Sequence, residues 1–202
     1  QQLWNVLFLS FIEKNGKPLS EMNQAVVDFR QSALANPAKF KRAMPMGTTF
    51  EYDQHMQFKG FKLKNFQEQG VYAAAAILSQ YKGVIIADDM GLGKTIEAIT
   101  LSLAMKVNTL LICVPANTIK QWQMQYYKWT GKFLTQIETK KQAESVSFAY
   151  TVNPAQYICS YEMLGSLNTK QHIDMVIYDE IHKIRGRSTK MSLAARNIRD
   201  ST

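Results

Sequence analysis

The pattern of apolar and polar residues alternates along the chain between two kinds of segment. Short apolar runs indicate strands at residues 84–86, 109–114, 157–159 and 173–178. Apolar residues spaced three and four apart indicate helices over about residues 65–80 and 96–105, after Thr118, and over about 188–199. Because strands alternate with helices, the pattern predicts an α/β fold with a largely parallel sheet and helices on both faces.

The first part of the chain has a different pattern. Residues 3–14 are apolar on nearly all sides, and a Gly–Pro stop signal separates them from a second helical stripe that Ser20 can cap. The sequence therefore predicts two domains, a helical N-terminal extension over residues 1–49 and an α/β domain over residues 50–202. The wide apolar surface of the extension predicts a protein partner.

The segment after Thr118 combines one clear helix with an ambiguous stretch. Thr118 and Gln121 have the spacing of a capping box, in which each side chain satisfies a backbone amide near the other residue. The large apolar residues of this helix share one face: Ile119, Trp122, Tyr126 and Trp129. Residues 133–152 have no clear period and predict short strands, with a polar loop at 139–145.

Composition narrows the class of protein. The chain has 202 residues, of which 46% are hydrophobic and 20% charged, which is ample for a buried core. Its 24 basic and 16 acidic residues give a net charge of +8, which favours nucleic acid or another polyanion as a partner. No apolar run reaches the ~18 residues of a membrane span, and the first residues lack the layout of a signal peptide.

The cysteines indicate a reducing compartment. Cys113 and Cys159 lie inside apolar strand-like runs, where buried, reduced thiols are expected. The sequence shows neither a disulfide framework nor zinc-ligand spacing. These features predict an intracellular protein with no membrane attachment, in the cytoplasm or nucleoid of a bacterium or phage-infected cell, or in a nucleus.

Residues 84–105 contain the pattern of a phosphate-binding loop between a strand and a helix. Gly91 and Gly93 let backbone amides curl around phosphate oxygens, and the helix that begins near Lys94 offers its positive end to the same anion. Lys94 supplies a charge to the outer phosphates, and the Thr95 hydroxyl is placed to ligate Mg²⁺. The strict pattern requires Gly where this chain has Asp88. The alternative is a chance glycine-rich turn before a core helix.

An acidic pair follows the last apolar run. Asp179 stands at the carboxyl end of the predicted strand, where it can reach Mg²⁺ directly or through water, and Glu180 can orient and deprotonate an attacking water. The alternative is a strand end that simply meets solvent. Downstream of a phosphate loop in an alternating α/β chain, the pair favours a nucleotide hydrolase.

Four segments resemble, in order, motifs I, Ia, Ib and II of the Swi/Snf-family ATPases, which are superfamily-two motors that translocate on double-stranded DNA. They read DDMGLGKT, LLICVPANTIKQW, YICSYEML and IYDEIHKIRGRSTKMSLAAR. The resemblance covers about residue 58 to the C-terminus, and it accounts for Asp88, which is expected in that family. The usual Asp-Glu-Ala-His appears here as Asp-Glu-Ile-His. The resemblance implies a RecA-like P-loop lobe that uses ATP and Mg²⁺.

The resemblance also assigns roles in the nucleotide site. It implies that Lys94 binds the β- and γ-phosphates and that Thr95 and Asp179 hold Mg²⁺. Glu180 is then the catalytic base, and Gln67, in a segment similar to the Q-motif, reads adenine. The other nucleotide-binding residues are Asp88, Asp89, Met90, Gly91, Leu92 and Gly93.

Contacts outside the nucleotide site follow from the same resemblance. His182 would couple the nucleotide to a second lobe, although a single histidine is more often ordinary surface or core. Motifs Ia and Ib would place five residues along the phosphates of one DNA strand: Pro115, Asn117, Lys120, Ser160 and Tyr161. The alternatives are that Pro115 only ends a strand and that Tyr161 belongs to the core.

The family pattern continues beyond the residues present here. Motif III, the second RecA-like lobe and its arginine finger would follow residue 202, and the chain begins with Gln, so we expect a piece of a longer polypeptide, truncated before motif III. An arginine finger contributes ~10³–10⁵ in turnover, so the isolated fragment is expected to be nearly inactive.

Two other classes of protein remain as alternatives. One is another superfamily-two enzyme, such as a strand-separating DExH helicase or a restriction-type motor subunit. The other is a non-catalytic module that binds nucleotide or DNA, against which the intact set of Lys94, Thr95, Asp179 and Glu180 argues.

Overall fold

Six strands form one parallel sheet in the computed structural model, which describes residues 4–8, 62–80, 83–86, 91–146, 155–167, 173–184 and 189–200. In chain order the strands are β1 (Trp4–Phe8), β2 (Gly83–Ile86), β3 (Thr109–Val114), β4 (Thr135–Ile137), β5 (Ala155–Ser160) and β6 (Met175–Tyr178). Their spatial order is β2-β1-β6-β3-β5-β4, and every adjacent pair is parallel. All their carboxyl ends therefore meet at one edge of the sheet.

Helices connect most of these strands. In the described residues the α-helices are α1 (Asn65–Gln80), α2 (Lys94–Ala104), α3 (Ile119–Thr130), α4 (Lys140–Ser145) and α5 (Lys190–Asp200). Short 3₁₀ helices cover Ala116–Thr118, Tyr161–Ser166 and Ile181–Ile184. Each 3₁₀ helix begins one to three residues after a strand ends, at the edge where the carboxyl ends meet.

The core lies on both faces of the sheet. Successive side chains of β3 point to opposite faces, because a strand has a period of two residues. Leu110 and Ile112 pack in a cluster with α1, α2 and α3, whereas Leu111 and Cys113 pack in a second cluster with α4 and α5. The predicted α/β fold, with a parallel sheet and helices on both faces, is therefore confirmed.

The strands and helices predicted from periodicity are confirmed to within a few residues. The structure has the strands near 84–86, 109–114, 157–159 and 173–178, and the helices over 65–80, after Thr118 and near 188–199. The predicted face of α3 is also confirmed, because all four of its large apolar residues are buried: Ile119, Trp122, Tyr126 and Trp129. The segments with strong periodicity and many apolar positions are thus the ones that the sequence predicts correctly.

The N-terminal prediction is wrong where the structure tests it. Residues Trp4–Phe8 form β1 instead of a helix, and β1 pairs with β2 on one side and β6 on the other. These five residues therefore belong to the sheet of the α/β domain, not to a separate extension. Pairing with β2 and β6 gives β1 backbone hydrogen bonds on both sides, which outweigh the helical spacing of its apolar residues. The aromatic and β-branched residues of β1 also favour a strand. Residues 9–49 lie outside the described part.

Two local predictions after Thr118 are also wrong. Thr118 makes no side-chain cap for α3, and its hydroxyl donates instead to the Pro115 carbonyl at 2.8 Å. A capping box occurs further along, where the Thr139 hydroxyl accepts from the Gln142 amide at 3.2 Å and Gln142 Oε1 accepts from the Thr139 amide at 3.0 Å. The predicted polar loop at 139–145 is therefore the short helix α4.

Asp174 fixes the alignment of β3 with β6 at the amino ends of the two strands. Its Oδ2 accepts from the amides of Asn108 and Thr109, at 2.7 and 2.9 Å, and its own amide donates to the Thr109 carbonyl at 3.1 Å. The aligned strands pair Ile112 with Ile177 and carry the functional segments to the opposite edge. A buried carboxylate with charge-assisted bonds to backbone amides holds such a register strongly.

Cys113 and Cys159 are buried free thiols, as predicted. They are paired in the register of β3 with β5, and their Sγ atoms lie 3.8 Å apart. Burial raises the pKa of the Cys113 thiol well above its ordinary value, so it remains protonated. Within the described part of the chain, none of the helices has the length and apolar character needed to cross a bilayer.

Alkaline pH should destabilise the fold in part through Tyr126. Burial raises the pKa of Tyr126 above its ordinary value, so the folded state keeps a proton that the unfolded chain loses near pH 10. The stabilising contribution is complete below about pH 10 and is lost as the pH rises further, at up to ~1.4 kcal/mol per pH unit. Urea unfolding between pH 8 and 11 should show a shallower decline for Tyr126→Phe than for the wild type. Equal slopes would contradict the assignment.

Candidate nucleotide site

The described part of the phosphate loop has the backbone geometry that the glycines predict. Gly91 and Gly93 have φ of 84° and 93°, in the left-handed region that favours glycine. Gly93 caps the N-terminus of α2, and its carbonyl accepts from the amides of Ile96 and Glu97 at 2.9 and 3.1 Å. The first amides of α2 thus form an anion-binding end directly beside Lys94 and Thr95, which are both half-buried.

Gln67 is bonded to the phosphate loop. Its Nε2 donates to the Leu92 carbonyl at 2.7 Å, and its Oε1 accepts from the Lys64 amide at 2.9 Å. The side chain is only 6% exposed, and its amide group fills the space beside Gly93 that a Cβ there would need. Gln67 therefore connects the start of α1 to the loop. Its role in reading adenine stays a prediction.

Asp179 lies at the carboxyl end of β6, where three elements meet. Its amide donates to the Cys113 carbonyl at 2.9 Å, which continues the pairing of β6 with β3. Its Oδ2 accepts from Trp122 Nε1 of α3 at 2.7 Å, and its carbonyl accepts from the Tyr161 hydroxyl of the 3₁₀ helix after β5. Asp179 is thus hydrogen-bonded to three other segments of the lobe.

Electrostatics connects Asp179 to the phosphate loop. Partial burial raises the pKa of Asp179, while the hydrogen bond from Trp122 lowers it. The negative charge of Glu180 raises this pKa and the positive charge of Lys94 lowers it, so both side chains lie within electrostatic range of the carboxyl group. The end of β6 therefore lies within electrostatic range of the phosphate loop, although more than 80 residues separate Lys94 from Asp179 in the sequence.

Glu180 adopts a backbone conformation that is unusual for its residue type. Its φ of 55° lies in the left-handed region, which costs a non-glycine residue about 1–3 kcal/mol. Such strain occurs where the surrounding structure imposes the conformation, and the hydrogen bonds at Asp179 supply that constraint here. The chain then continues directly into the 3₁₀ helix Ile181–Ile184, which contains His182.

The residues present fit Mg²⁺ bound together with phosphate. A carboxylate and a threonine hydroxyl are hard oxygen donors, and Mg²⁺ typically takes one or two protein ligands and completes its shell with phosphate oxygens and water. Among the described residues, no three His, Cys, Asp or Glu side chains gather into a cluster that could hold a metal alone. A site of this kind requires only Asp179 and Thr95 from the protein.

The residues predicted to follow DNA divide into two groups. Asn117 and Lys120 are exposed and Pro115 is half-buried, at the edge where β3 ends. Ser160 and Tyr161 are buried, and the Tyr161 side chain is 3% exposed. The structure thus favours the core alternative for Tyr161, and burial raises its pKa, so the phenol keeps its proton.

Several predicted site residues lie outside the described part. These are Asp88, Asp89, Met90 and the side chain of His182. Sequence reasoning missed Trp122 as a site residue, because helical spacing assigned it only to the buried face of α3. A buried indole N–H needs an acceptor, and this need is the one signal that could have marked it.

Comparison with known proteins identifies the relatives of the chain. A family model described as the SNF2-related domain matches residues 23–202. The mouse (Mus musculus) DNA excision repair protein ERCC-6-like is 32% identical over 162 residues, covering 68% of this chain and 12% of that protein. The human (Homo sapiens) DNA repair and recombination protein RAD54B is 32% identical over 126 residues, covering 55% of this chain and 14% of that protein.

A bacterial relative is similar to the same degree. An uncharacterized ATP-dependent helicase of Mycoplasma pneumoniae is 28% identical over 145 residues, covering 68% of this chain and 14% of that protein. The chain thus spans only about an eighth of the length of these relatives.

Gly93→Ala should weaken nucleotide binding. An alanine Cβ would lie 2.3 Å from Gln67 Nε2, so the bond from Gln67 to Leu92 would break, and the φ of 93° would add about 1–3 kcal/mol of strain. A loss of 1.4 kcal/mol is tenfold in affinity, so we expect a decrease of roughly tenfold or more for a fluorescent ATP analogue.

Two further glycine variants serve as controls for this measurement. Gly165→Ala meets nothing within 4 Å, so its nucleotide affinity should equal that of the wild type. Gly91→Ala also has open space but a φ of 84°, so it isolates the cost of the backbone conformation. Wild-type affinity in Gly93→Ala would contradict the arrangement of the loop.

Proposed function

The chain belongs to the SNF2-related family, and we propose that it is the first motor lobe of a DNA-dependent ATPase that translocates on double-stranded DNA. One observation carries the proposal most directly. The charge of Lys94, in the phosphate loop, lowers the pKa of Asp179, at the end of β6, which supports a single nucleotide site built from both segments. Each segment alone has an ordinary structural alternative.

Each residue of the site has a task that its position supports. The ammonium group of Lys94 binds the β- and γ-phosphates of ATP beside the amino end of α2. Thr95 and Asp179 would hold Mg²⁺, which when bound would neutralise negative charge on the phosphates. Glu180 orients a water molecule and accepts its proton, as the general base. Gln67 reads adenine and, through Leu92, senses the position of the loop.

DNA is the polyanion that the charge and the relatives support. The chain carries a net charge of +8, and exposed Asn117 and Lys120 lie beside the end of β3. Two of the relatives are named as DNA repair proteins, which supports DNA over other polyanions. Contacts of Asn117 and Lys120 with phosphates would position the lobe without reading sequence, as a translocating motor requires.

The proposed activity requires parts of a longer polypeptide. We propose that a second RecA-like lobe closes over the nucleotide, that His182 transmits this closure, and that ATP-driven cycles of closure move the protein along DNA. We propose that the second lobe supplies the arginine finger, so the first lobe alone should hydrolyse ATP very slowly. We place the protein inside the cell with the DNA, and residues 9–49 remain a candidate site for a protein partner.

The ATPase assay tests the proposal on the full-length protein, with and without duplex DNA. Duplex DNA should stimulate turnover, and both Lys94→Ala and Glu180→Gln should reduce the stimulated rate by ~10²-fold or more, because each removes a group that stabilises the transition state or the proton transfer. Lys132→Ala is the matched control, because it removes an exposed lysine outside the site and should leave the rate unchanged.

The outcomes separate the proposed function from its alternatives. Turnover that ignores duplex DNA, or that survives in Lys94→Ala, would overturn the proposal. Separation of strands in a displacement assay would assign the protein to the unwinding helicases instead. Binding of nucleotide without any turnover in the full-length protein would assign it to the non-catalytic modules.

A further inference from the structure

Two hydrogen bonds converge on Asp179 from segments that have no other assigned role in the nucleotide site. Trp122 Nε1 donates to the side-chain Oδ2 at 2.7 Å, and the Tyr161 hydroxyl donates to the backbone carbonyl of the same residue. One bond therefore fixes the carboxylate and the other fixes the main chain that carries it. Both donors are almost fully buried, with exposures of 2% and 3%.

The bond from Trp122 orients the carboxylate group of Asp179. A carboxylate has about four lone-pair sites on its two oxygens, and the indole N–H takes one of them on Oδ2. The carboxylate thus keeps further lone pairs for a metal ion or its water while its orientation is held. Groups that hydrogen-bond to a metal ligand orient it in this way, and their removal typically costs metal affinity even though they never touch the ion.

The two donors also stand next to the segments that we place on DNA. Trp122 lies in the first turn of α3, close in sequence to exposed Asn117 and Lys120, and Tyr161 directly follows Ser160 at the end of β5. The backbone from Asn117 to Trp122 is continuous 3₁₀ helix and α-helix, and Tyr161 is bonded directly to Ser160. A shift of either segment would therefore move Asp179 through one hydrogen bond.

We propose that Trp122 and Tyr161 are positioning residues that orient Asp179 for Mg²⁺ and so link the DNA-facing segments to the metal site. This inference rests on the proposed function for the identity of the metal and the DNA. By the reciprocity of linked equilibria, a link of this kind makes duplex DNA strengthen Mg²⁺–nucleotide binding by the same factor as the nucleotide strengthens DNA binding.

The first test measures Mg²⁺ affinity instead of turnover. The full-length wild type, Trp122→Phe and Tyr161→Phe are titrated with Mg²⁺ in the presence of a fluorescent, non-hydrolysable ATP analogue. Each variant should raise the half-saturating Mg²⁺ concentration about 10- to 100-fold. Affinity for the analogue in EDTA should not change, because the phosphate loop is intact. If Trp122→Phe does not fold, Tyr161→Phe carries the test.

Matched variants in the same helix separate positioning from packing. Trp129→Phe removes an indole about two turns further along the buried face of α3, and Tyr126→Phe removes a buried phenol from that helix. Both should leave the half-saturating Mg²⁺ concentration unchanged. A shift as large as that of Trp122→Phe, or a parallel loss of affinity in EDTA, would overturn the inference in favour of general packing.

A double-mutant cycle tests whether Trp122 acts through Asp179. In an Asp179→Ala background the acceptor is gone, so adding Trp122→Phe should produce no further change in the half-saturating Mg²⁺ concentration. A further loss as large as in the wild-type background would show that Trp122 acts elsewhere and would overturn the inference.

The DNA measurement distinguishes this inference from the proposed function. In the wild type, duplex DNA should lower the half-saturating Mg²⁺ concentration, and this effect should disappear in Trp122→Phe while DNA still binds. A wild type that binds duplex DNA but whose half-saturating Mg²⁺ concentration does not respond to it would overturn the link to the DNA-facing segments, whereas a wild type that binds no duplex DNA would refute the proposed DNA motor. The Mg²⁺ titrations would still decide the positioning role of the two donors.

Discussion

The attraction between Lys94 and Asp179 depends on a spacing that the sheet imposes. β2, which leads to the phosphate loop, and β6, which leads to Asp179, are not neighbours, because β1 lies between them. Two strand spacings separate their carboxyl ends by about 10 Å, which is room for a phosphate chain and a metal ion between opposite charges. The paired positions Val6, Val84 and Ile177 hold that spacing through backbone hydrogen bonds.

The two edges of the sheet, at the amino and the carboxyl ends of its strands, have different structural roles. At the amino edge Asp174 fixes β3 against β6 by accepting from the backbone amides of Asn108 and Thr109. At the carboxyl edge Asp179 is held by an indole, a phenol and a carbonyl acceptor, and the next residue takes a strained conformation. Rigid pairing at one edge allows strain and charge to be concentrated at the other, where the candidate site lies.

Sequence patterns predicted most of the strands and helices but not the contacts between residues that are far apart in the chain. The strand at 109–114 and the helix after Thr118 were readable because many apolar residues repeat with one period. α4 was missed because it is only six residues long and buries a single side chain, Ala143. β1 was mistaken for a helix because its partners lie far away in the chain, so its fate is decided by tertiary pairing instead of local spacing.

The candidate site shows the same difference between local motifs, which the sequence displays, and long-range hydrogen bonds, which it does not. The phosphate loop and the acidic pair have short patterns tied to their chemistry, so residue types alone predict roles for Lys94 and Asp179. The bond from Trp122 to Asp179 joins residues 57 positions apart, and nothing in the spacing of α3 distinguishes a tryptophan that fills the core from one that also orients a ligand. Hydrogen-bond partners across a fold are decided by packing, which a single sequence does not display.

The paired thiols of β3 and β5 have a practical consequence. Cys113 and Cys159 are the two cysteines of the entire sequence, and both are fully enclosed between the layers of the lobe. A thiol-reactive dye therefore cannot label the native lobe, and the rate of labelling measures how often the central sheet opens. A nucleotide or DNA that stabilises the closed sheet would lower this labelling rate, so the two thiols report local unfolding of the lobe.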